Sequence, residues 1–357
     1  MARRKMTLRP SKARIALWAI CAVVSVFLAV RLLEKAPDRL AGQEHMNAPD
    51  AIDRVGAAPR TGAPPAVRFG LMPRAAHLVV LSGLQMNQYD LAAADQGAVE
   101  VRIYDRSRGL SAALRKDEVD LACVPLRVAV ELAASMGDAA PRVVAGAALG
   151  DERYVVRSGL AAFETLPLAP LRVGVLENPA LDIAAALGVG SDDAATAHLV
   201  REASVARQLA SREIDIAVLP QPLAAQAAAM SSSTVETGAD VPGRRLHGGA
   251  VLVATRRLID ADPALLGRLV TSHVVSAAFA ENDRETSIER AAAVLQSSGV
   301  DVVPALFWTR GVEGITFGPA IPRAELAELA GADDADAFVD ESFLAEAIRT
   351  LEEDDGE

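Results

Sequence analysis

Two segments of this 357-residue sequence run through the same order of residue types. Leu114-Arg115-Lys116-Asp117-Glu118-Val119-Asp120-Leu121-Ala122-Cys123-Val124-Pro125 is matched by Leu209-Ala210-Ser211-Arg212-Glu213-Ile214-Asp215-Ile216-Ala217-Val218-Leu219-Pro220. Each reads as a helix end, a charged turn, an aspartate, a short buried strand, and a proline at the strand's carboxyl end. A chain that carries this unit twice is expected to form two similar α/β lobes. In open α/β sheets, small molecules bind outside the carboxyl ends of strands. The segments after Val124 and Leu219 are therefore expected to border a cleft between the lobes.

The rest of the body fits this pattern. AVRFG, VEVRIY, VDLACV, RVVAGAAL, LRVGVL and IDIAVL are short apolar runs bounded by Gly, Pro or charge, and read as strands. Helical patterns lie between them at Ala75–Gln85, Leu110–Lys116, Val205–Ser211 and Pro222–Ala229. This alternation predicts parallel sheets. From Pro263 onward helices dominate, with Pro263 in a first turn after Asp262, then Thr286–Gln296, Arg323–Ala330 and Phe343–Glu352.

The N-terminal portion differs in composition. Residues 1–39 carry nine basic and two acidic side chains, a net of +7, so the formal −11 of the whole chain leaves −18 on the remainder. Residues 1–14 form a basic leader, and Ile15–Val30 holds no charge, with Leu32 and Leu33 extending it to a span over 15–33 if Arg31 snorkels. Six cations and no acid precede the span, which predicts a cytoplasmic N-terminus and an external body. The sequence at the end of the uncharged run, Val30-Arg31-Leu32-Leu33-Glu34-Lys35, offers no small-x-small cleavage site, and Cys21 lacks a lipidation context. Residues 34–65, rich in Ala, Pro and Gly, read as a flexible tether.

Several function classes lose ground. An acidic body gives no basic face for a phosphate backbone, so no nucleic-acid partner is expected. Cys21 and Cys123 leave no pair for a disulfide, and His45, His77, His198, His247 and His273 include no two at metal-binding spacing. There is no HExxH, GxSxG or P-loop sequence. No catalytic residue, no metal site and no cofactor are assigned.

The ordered pieces FGLMPRAAH, SRGLSAALRKDEVDLACVPL, VVAGAAL, LRVGVLENP, REIDIAVLPQPLAAQA and GGAVLVATRRLIDADPALL resemble the substrate-binding proteins of ABC importers, in the branch that handles nitrate, sulfonates, taurine and thiamine-precursor pyrimidines. The resemblance covers about Ala66 to Leu329. It implies the two-lobed type II periplasmic-binding-protein fold, closing by hinge motion, with lobe 1 over 66–165 and 255–357 and lobe 2 over 166–254. It also implies a monomeric extracytoplasmic body that serves a permease and an ATPase. The chain departs from the pattern in its apparent anchor, in Gln221 where a Glu is frequent, and in its few aromatics. A tethered sensor, a pyrimidine binder and an enzyme on the same fold are the alternative readings.

The expected cleft residues follow from these positions. Pro73 and Arg74 close the first strand ahead of a helix start, with His77 one turn on. Ser107, Arg108 and Gly109 open the next helix, with Ser107 as a candidate cap. Helix starts with Arg74, Arg108 and Arg127 suit an oxyanion. Pro125 and Pro220 end the paired strands, while Asn178 and Gln221 offer neutral donors and acceptors or serve as caps. Glu177 opposes an anion and favours a zwitterion, or faces solvent.

Overall fold

The computed structural model describes residues 55–56, 67–94, 97–160, 171–176, 197–236, 246–300, 303–331 and 335–354. The leader, the span over 15–33 and all of the tether except Val55 and Gly56 lie outside the described residues.

The body is built on two sheets. The first has seven strands: β1 (Val55–Gly56), β2 (Val67–Leu71), β3 (Val99–Ile103), β4 (Leu121–Pro125), β5 (Arg142–Leu149), β11 (Gly249–Ala254) and β12 (Thr316–Phe317), in the order β1-β3-β2-β4-β11-β5-β12. The second has five: β6 (Glu152–Val156), β7 (Val173–Val175), β8 (Ala197–Leu199), β9 (Ile216–Pro220) and β10 (Thr234–Glu236), in the order β10-β6-β9-β7-β8. The chain thus leaves the first sheet at Gly150-Asp151 and returns between Glu236 and Gly249. The sequence boundaries at 165/166 and 254/255 fall later at both passages, because apolar alternation marks a strand without telling which sheet it joins.

The sheets are mixed where parallel ones were expected. β2 runs parallel to β3 and β4, and β7 parallel to β8 and β9. β11 is antiparallel to β4 and β5, and β6 is antiparallel to β9. β6 follows β5 after only Gly150 and Asp151, too few residues for the crossover connection that a parallel neighbour requires. Val55 and Gly56 add an antiparallel edge strand against Ile103 and Arg102.

The central strands are apolar without alternation because both of their faces are buried. Leu121 and Cys123 of β4 join one cluster with Phe69, Leu252 and Trp308, while Ala122 and Val124 join another with Leu110, Val251 and Leu326. In β9, Ile216 and Val218 pack with Tyr154, and Ala217 and Leu219 pack with Val155 and Val205.

The helices in the first half are α1 (Leu78–Gln85), preceded by a 3-10 turn at Ala75–His77, then α2 (Gln88–Ala92), α3 (Ser107–Arg115) and α4 (Leu126–Met136). α5 (Glu202–Ala210) and α6 (Leu223–Ser231) flank the second sheet. The C-terminal set is α7 (Arg256–Ala261), α8 (Pro263–Asn282), α9 (Arg284–Ser297), α10 (Ala305–Gly311), α11 (Arg323–Ala330) and α12 (Ser342–Asp354). Asp262 caps α8 by accepting from the Leu265 N–H at 2.8 Å, with Pro263 in the first turn. Among the described residues α8 alone is long and apolar enough to cross a bilayer. It is committed to the core instead: Leu265, Leu266, Leu269 and Val270 are buried, and His273 bridges the Tyr89 hydroxyl at 3.0 Å and the Gly146 carbonyl at 2.7 Å.

The duplicated segment takes the same local form twice. After α3, Asp117 adopts φ 52°, with Asp117 N–H bonded to Leu114 O at 3.2 Å and Glu118 N–H to Ala113 O at 2.9 Å. After α5, Arg212 adopts φ 61°, with Arg212 N–H bonded to Leu209 O at 3.2 Å and Glu213 N–H to Gln208 O at 2.8 Å. Both are Schellman ends, which place one residue in the left-handed region.

Candidate functional site

The carboxyl ends of β4 and β9 face the same cavity. Its lining from the first sheet's side is Arg74, Ser107, Pro125, Arg127 and Val128, and from the second's Glu152, Leu176, Val218 and Pro220. Its volume is about 60 Å³. That is room for a few water molecules and far below the several hundred Å³ of a typical small-molecule pocket. A larger open groove of about 420 Å³ lies elsewhere, between α8 and α12, away from the strand ends.

Among the described residues, contacts join the lobes at this cavity and beside it. Arg127, in the first turn of α4, donates from Nη2 to the Glu152 carboxylate, which heads β6. Both side chains are largely shielded, at 17% and 15% exposure. The Ala75 N–H donates to the Gln221 carbonyl at 2.9 Å. Gly150, where the chain leaves the first sheet, donates its N–H to the carbonyl of Gly248, where it returns, at 2.7 Å. Gly150 has φ +81°, and a Cβ on Gly248 would stand 2.5 Å from the Glu152 nitrogen, so both positions need glycine.

Charge is concentrated at the first passage. Asp151 is 3% exposed, and burial first, then the neighbouring Glu152, raises its carboxyl to about 6, against the opposing pull of Arg74, Arg153 and Arg127. Arg153 turns its guanidinium onto carbonyls, at 2.8 Å from Glu152 O and 3.1 Å from Glu313 O. Three guanidinium groups thus stand around two carboxylates, a local excess of positive charge, while residues 40–357 as a whole carry −18.

Five expected residues, Arg74, Ser107, Pro125, Arg127 and Pro220, line the cavity. Glu177 and Asn178 lie outside the described residues. The others have different surroundings. Arg108 is exposed on α3. The Gly109 N–H is bonded to Arg106 O at 3.1 Å, because the helix starts one residue earlier than a Ser107 cap requires. Ser107 sits inside the first turn, with its hydroxyl 3.7 Å from the Met72 sulfur. Pro73 is half-buried in the turn after β2. His77 is fully buried and its Nδ1 accepts from the Met72 N–H at 3.1 Å. Burial, helped by Arg74, pushes its pKa down to about 3, so the ring is neutral. Gln221 is 3% exposed, and its side-chain oxygen accepts from the Ala225 N–H at 3.2 Å, which is the capping alternative. α10 packs close by, since a Cβ on Gly311 would lie 3.2 Å from that same oxygen.

Glu152, Val128, Leu176 and Val218 were not anticipated. The available signal was Asp151-Glu152-Arg153, three consecutive charges between two apolar strands, which is where a chain passing from one sheet to another runs beside a cleft. Among the described residues Phe69, Tyr89 and Trp308 serve the core: Phe69 and Tyr89 meet edge to face at 5.1 Å, and Trp308 is 1% exposed.

Two mixed α/β sheets, joined by two adjacent passages and meeting at the carboxyl ends of paired strands, define the two-lobed periplasmic-binding-protein fold. Solved structures share it. The ligand-binding component of an ABC-type import system from Staphylococcus aureus, crystallised with zinc, is 15% identical with a TM-score of 0.61 over 80% of this chain and 99% of that one. The nitrate-binding protein NrtA of Synechocystis PCC 6803 is 12% identical with a TM-score of 0.63, over 83% and 90% of the two chains. The aliphatic sulphonate binding protein SsuA of Escherichia coli is 16% identical with a TM-score of 0.56, over 82% and 88%. No protein-family model matches the sequence, and no curated protein matches it.

Proposed function

We propose that this chain is the extracytoplasmic solute-binding component of an ABC importer, held to the membrane by residues 15–33, which captures a small anionic or zwitterionic solute and delivers it to a permease and its ATPase. The observation that carries this reading is the cavity between the lobes, where Arg74 and Arg127 meet Glu152 and Pro220 at the ends of the duplicated strands. Guanidinium groups in a shielded cleft suit an oxyanion, because they donate paired hydrogen bonds in the plane of the acid. At about 60 Å³ the cavity admits no solute of sulfonate size, so capture requires the lobes to part and close again. The passages at Gly150 and Gly248 supply the hinge. Differential affinity for the two arrangements then couples binding to presentation. The structural neighbours include a sulphonate-binding protein, a nitrate-binding protein and the ligand-binding component of an ABC-type import system, which favours binding over catalysis.

Isothermal titration of the full-length chain in detergent against taurine, ethanesulfonate, nitrate and a thiamine-precursor pyrimidine tests this. Saturable binding of at least one of the first three is expected. Binding of none, or turnover of a bound compound, overturns the reading.

A further inference from the structure

We propose that Glu152 sets the charge selectivity of the cleft, favouring a zwitterion over a plain anion. The inference rests on the solute-binding reading and specifies the solute class. In the structure the Glu152 carboxylate takes the place of an anion on Arg127, reaching from the second lobe to the first. An incoming monoanion competes with this internal partner. If it wins Arg127, it leaves Glu152 shielded beside Asp151, a second acid, without its direct ion-pair partner and with Arg74 as the other cation lining the cavity. Breaking a shielded, direct ion pair without replacing the cation on the acid is costly, and that cost weighs against the binding of every monoanion. A zwitterion avoids it, since its acid replaces Glu152 on Arg127 while its ammonium replaces Arg127 on Glu152. Selection therefore comes from a penalty on the wrong solute as much as from a contact with the right one.

The position of Glu152 also links selection to movement. It lies two residues after Gly150, so rotation of the second lobe at this passage carries the carboxylate away from Arg127 and opens both charges together.

The test compares taurine with ethanesulfonate, which share the sulfonate and differ in the ammonium. Both are titrated calorimetrically into the full-length chain, as wild type, Glu152→Gln and Glu152→Asp. The wild type should prefer taurine by at least about tenfold, and Glu152→Gln should bring the two within about threefold, chiefly by tightening ethanesulfonate. Glu152→Asp keeps the charge and should keep a preference for taurine, which preserves the test if Glu152→Gln does not fold. An unchanged ratio in Glu152→Gln, or loss of the preference in Glu152→Asp, overturns the role of Glu152 while leaving the binding reading intact. Failure of both sulfonates to bind any form overturns the proposal itself, whereas the binding reading falls only if nitrate and the pyrimidine fail as well.

Discussion

Asp120 and Asp215 make the same set of contacts in the two lobes. Asp120 accepts from the Arg68 backbone N–H at 2.9 Å and from its guanidinium at 2.8 and 2.9 Å, and also from Arg257. Asp215 accepts from the Arg172 backbone N–H at 3.0 Å and its guanidinium at 3.0 and 3.1 Å, and from Arg157 at 2.7 Å. The backbone bond returns in both, from Asp120 N–H to Arg68 O and from Asp215 N–H to Arg172 O, each at 2.9 Å. The repeated aspartate is thus a clasp that ties the strand entering the cleft to its neighbour.

Replacing either clasp residue by Asn should cost about 1–3 kcal/mol, read by urea denaturation, because the guanidinium groups keep only a neutral acceptor. Burial alone would raise the Asp215 carboxyl, but the hydrogen bonds from Arg172 and Arg157 outweigh it and hold it below the ordinary range. Its stabilising contribution is therefore present above the unfolded value of about 3.8 and lost as pH falls below it. The two sites lie in different sheets, so the double variant should show nearly the sum of the single costs. A cost near zero at both would contradict the clasp.

The left-handed Arg212 offers a gain. It is exposed and occupies φ 61°, a region that a side chain enters at about 1 kcal/mol and glycine enters freely. Arg212→Gly should raise stability by up to about 1 kcal/mol, and a measured loss would show that the side chain matters there.

Gly248→Ala should act at the hinge. The added Cβ would meet the Glu152 nitrogen at 2.5 Å and its Cβ at 2.6 Å, so the two passages must separate. A loss of about 1–3 kcal/mol in urea denaturation is expected, and unchanged stability would mean the passages are looser than described.

The pH dependence follows from three buried groups. His77 and His273 are lowered by burial to about 3 and about 4, from the ordinary 6.5. The unfolded chain binds protons there that the folded one does not, so their contribution is complete above pH 6.5 and lost as pH falls toward those values. Asp151 acts oppositely. Raised to about 6 from 3.8, it contributes most below 3.8 and loses that contribution as pH rises through about 6. Asp151→Asn should therefore steepen the fall in melting temperature between about pH 6.5 and 4.5, relative to wild type. A shallower fall would contradict the assignment.

Much of the architecture was legible because the duplicated segment fixes a local form: a helix end, a turn, a clasped aspartate and a strand whose carboxyl end faces a cleft. Pro125, Arg127 and Pro220 could be located from it. Gln221 and His77 were harder, since a polar side chain near a cleft serves the backbone as readily as a ligand; both here satisfy N–H groups, of Ala225 and Met72. Glu152 was missed because its significance comes from a partner on another lobe, and pairing across a cleft leaves no period in the sequence. The same holds for β6 and β11, which were not among the apolar runs read as strands and whose sheet is set by pairing partners distant in sequence.

Binding to Arg127→Ala tests the central claim most directly. Whichever of taurine, ethanesulfonate and nitrate binds the wild type should bind this variant about 10–100-fold more weakly by calorimetric titration, the loss of one charge-assisted contact. The same affinity in both, or no binding of any of them to the wild type, would contradict the account.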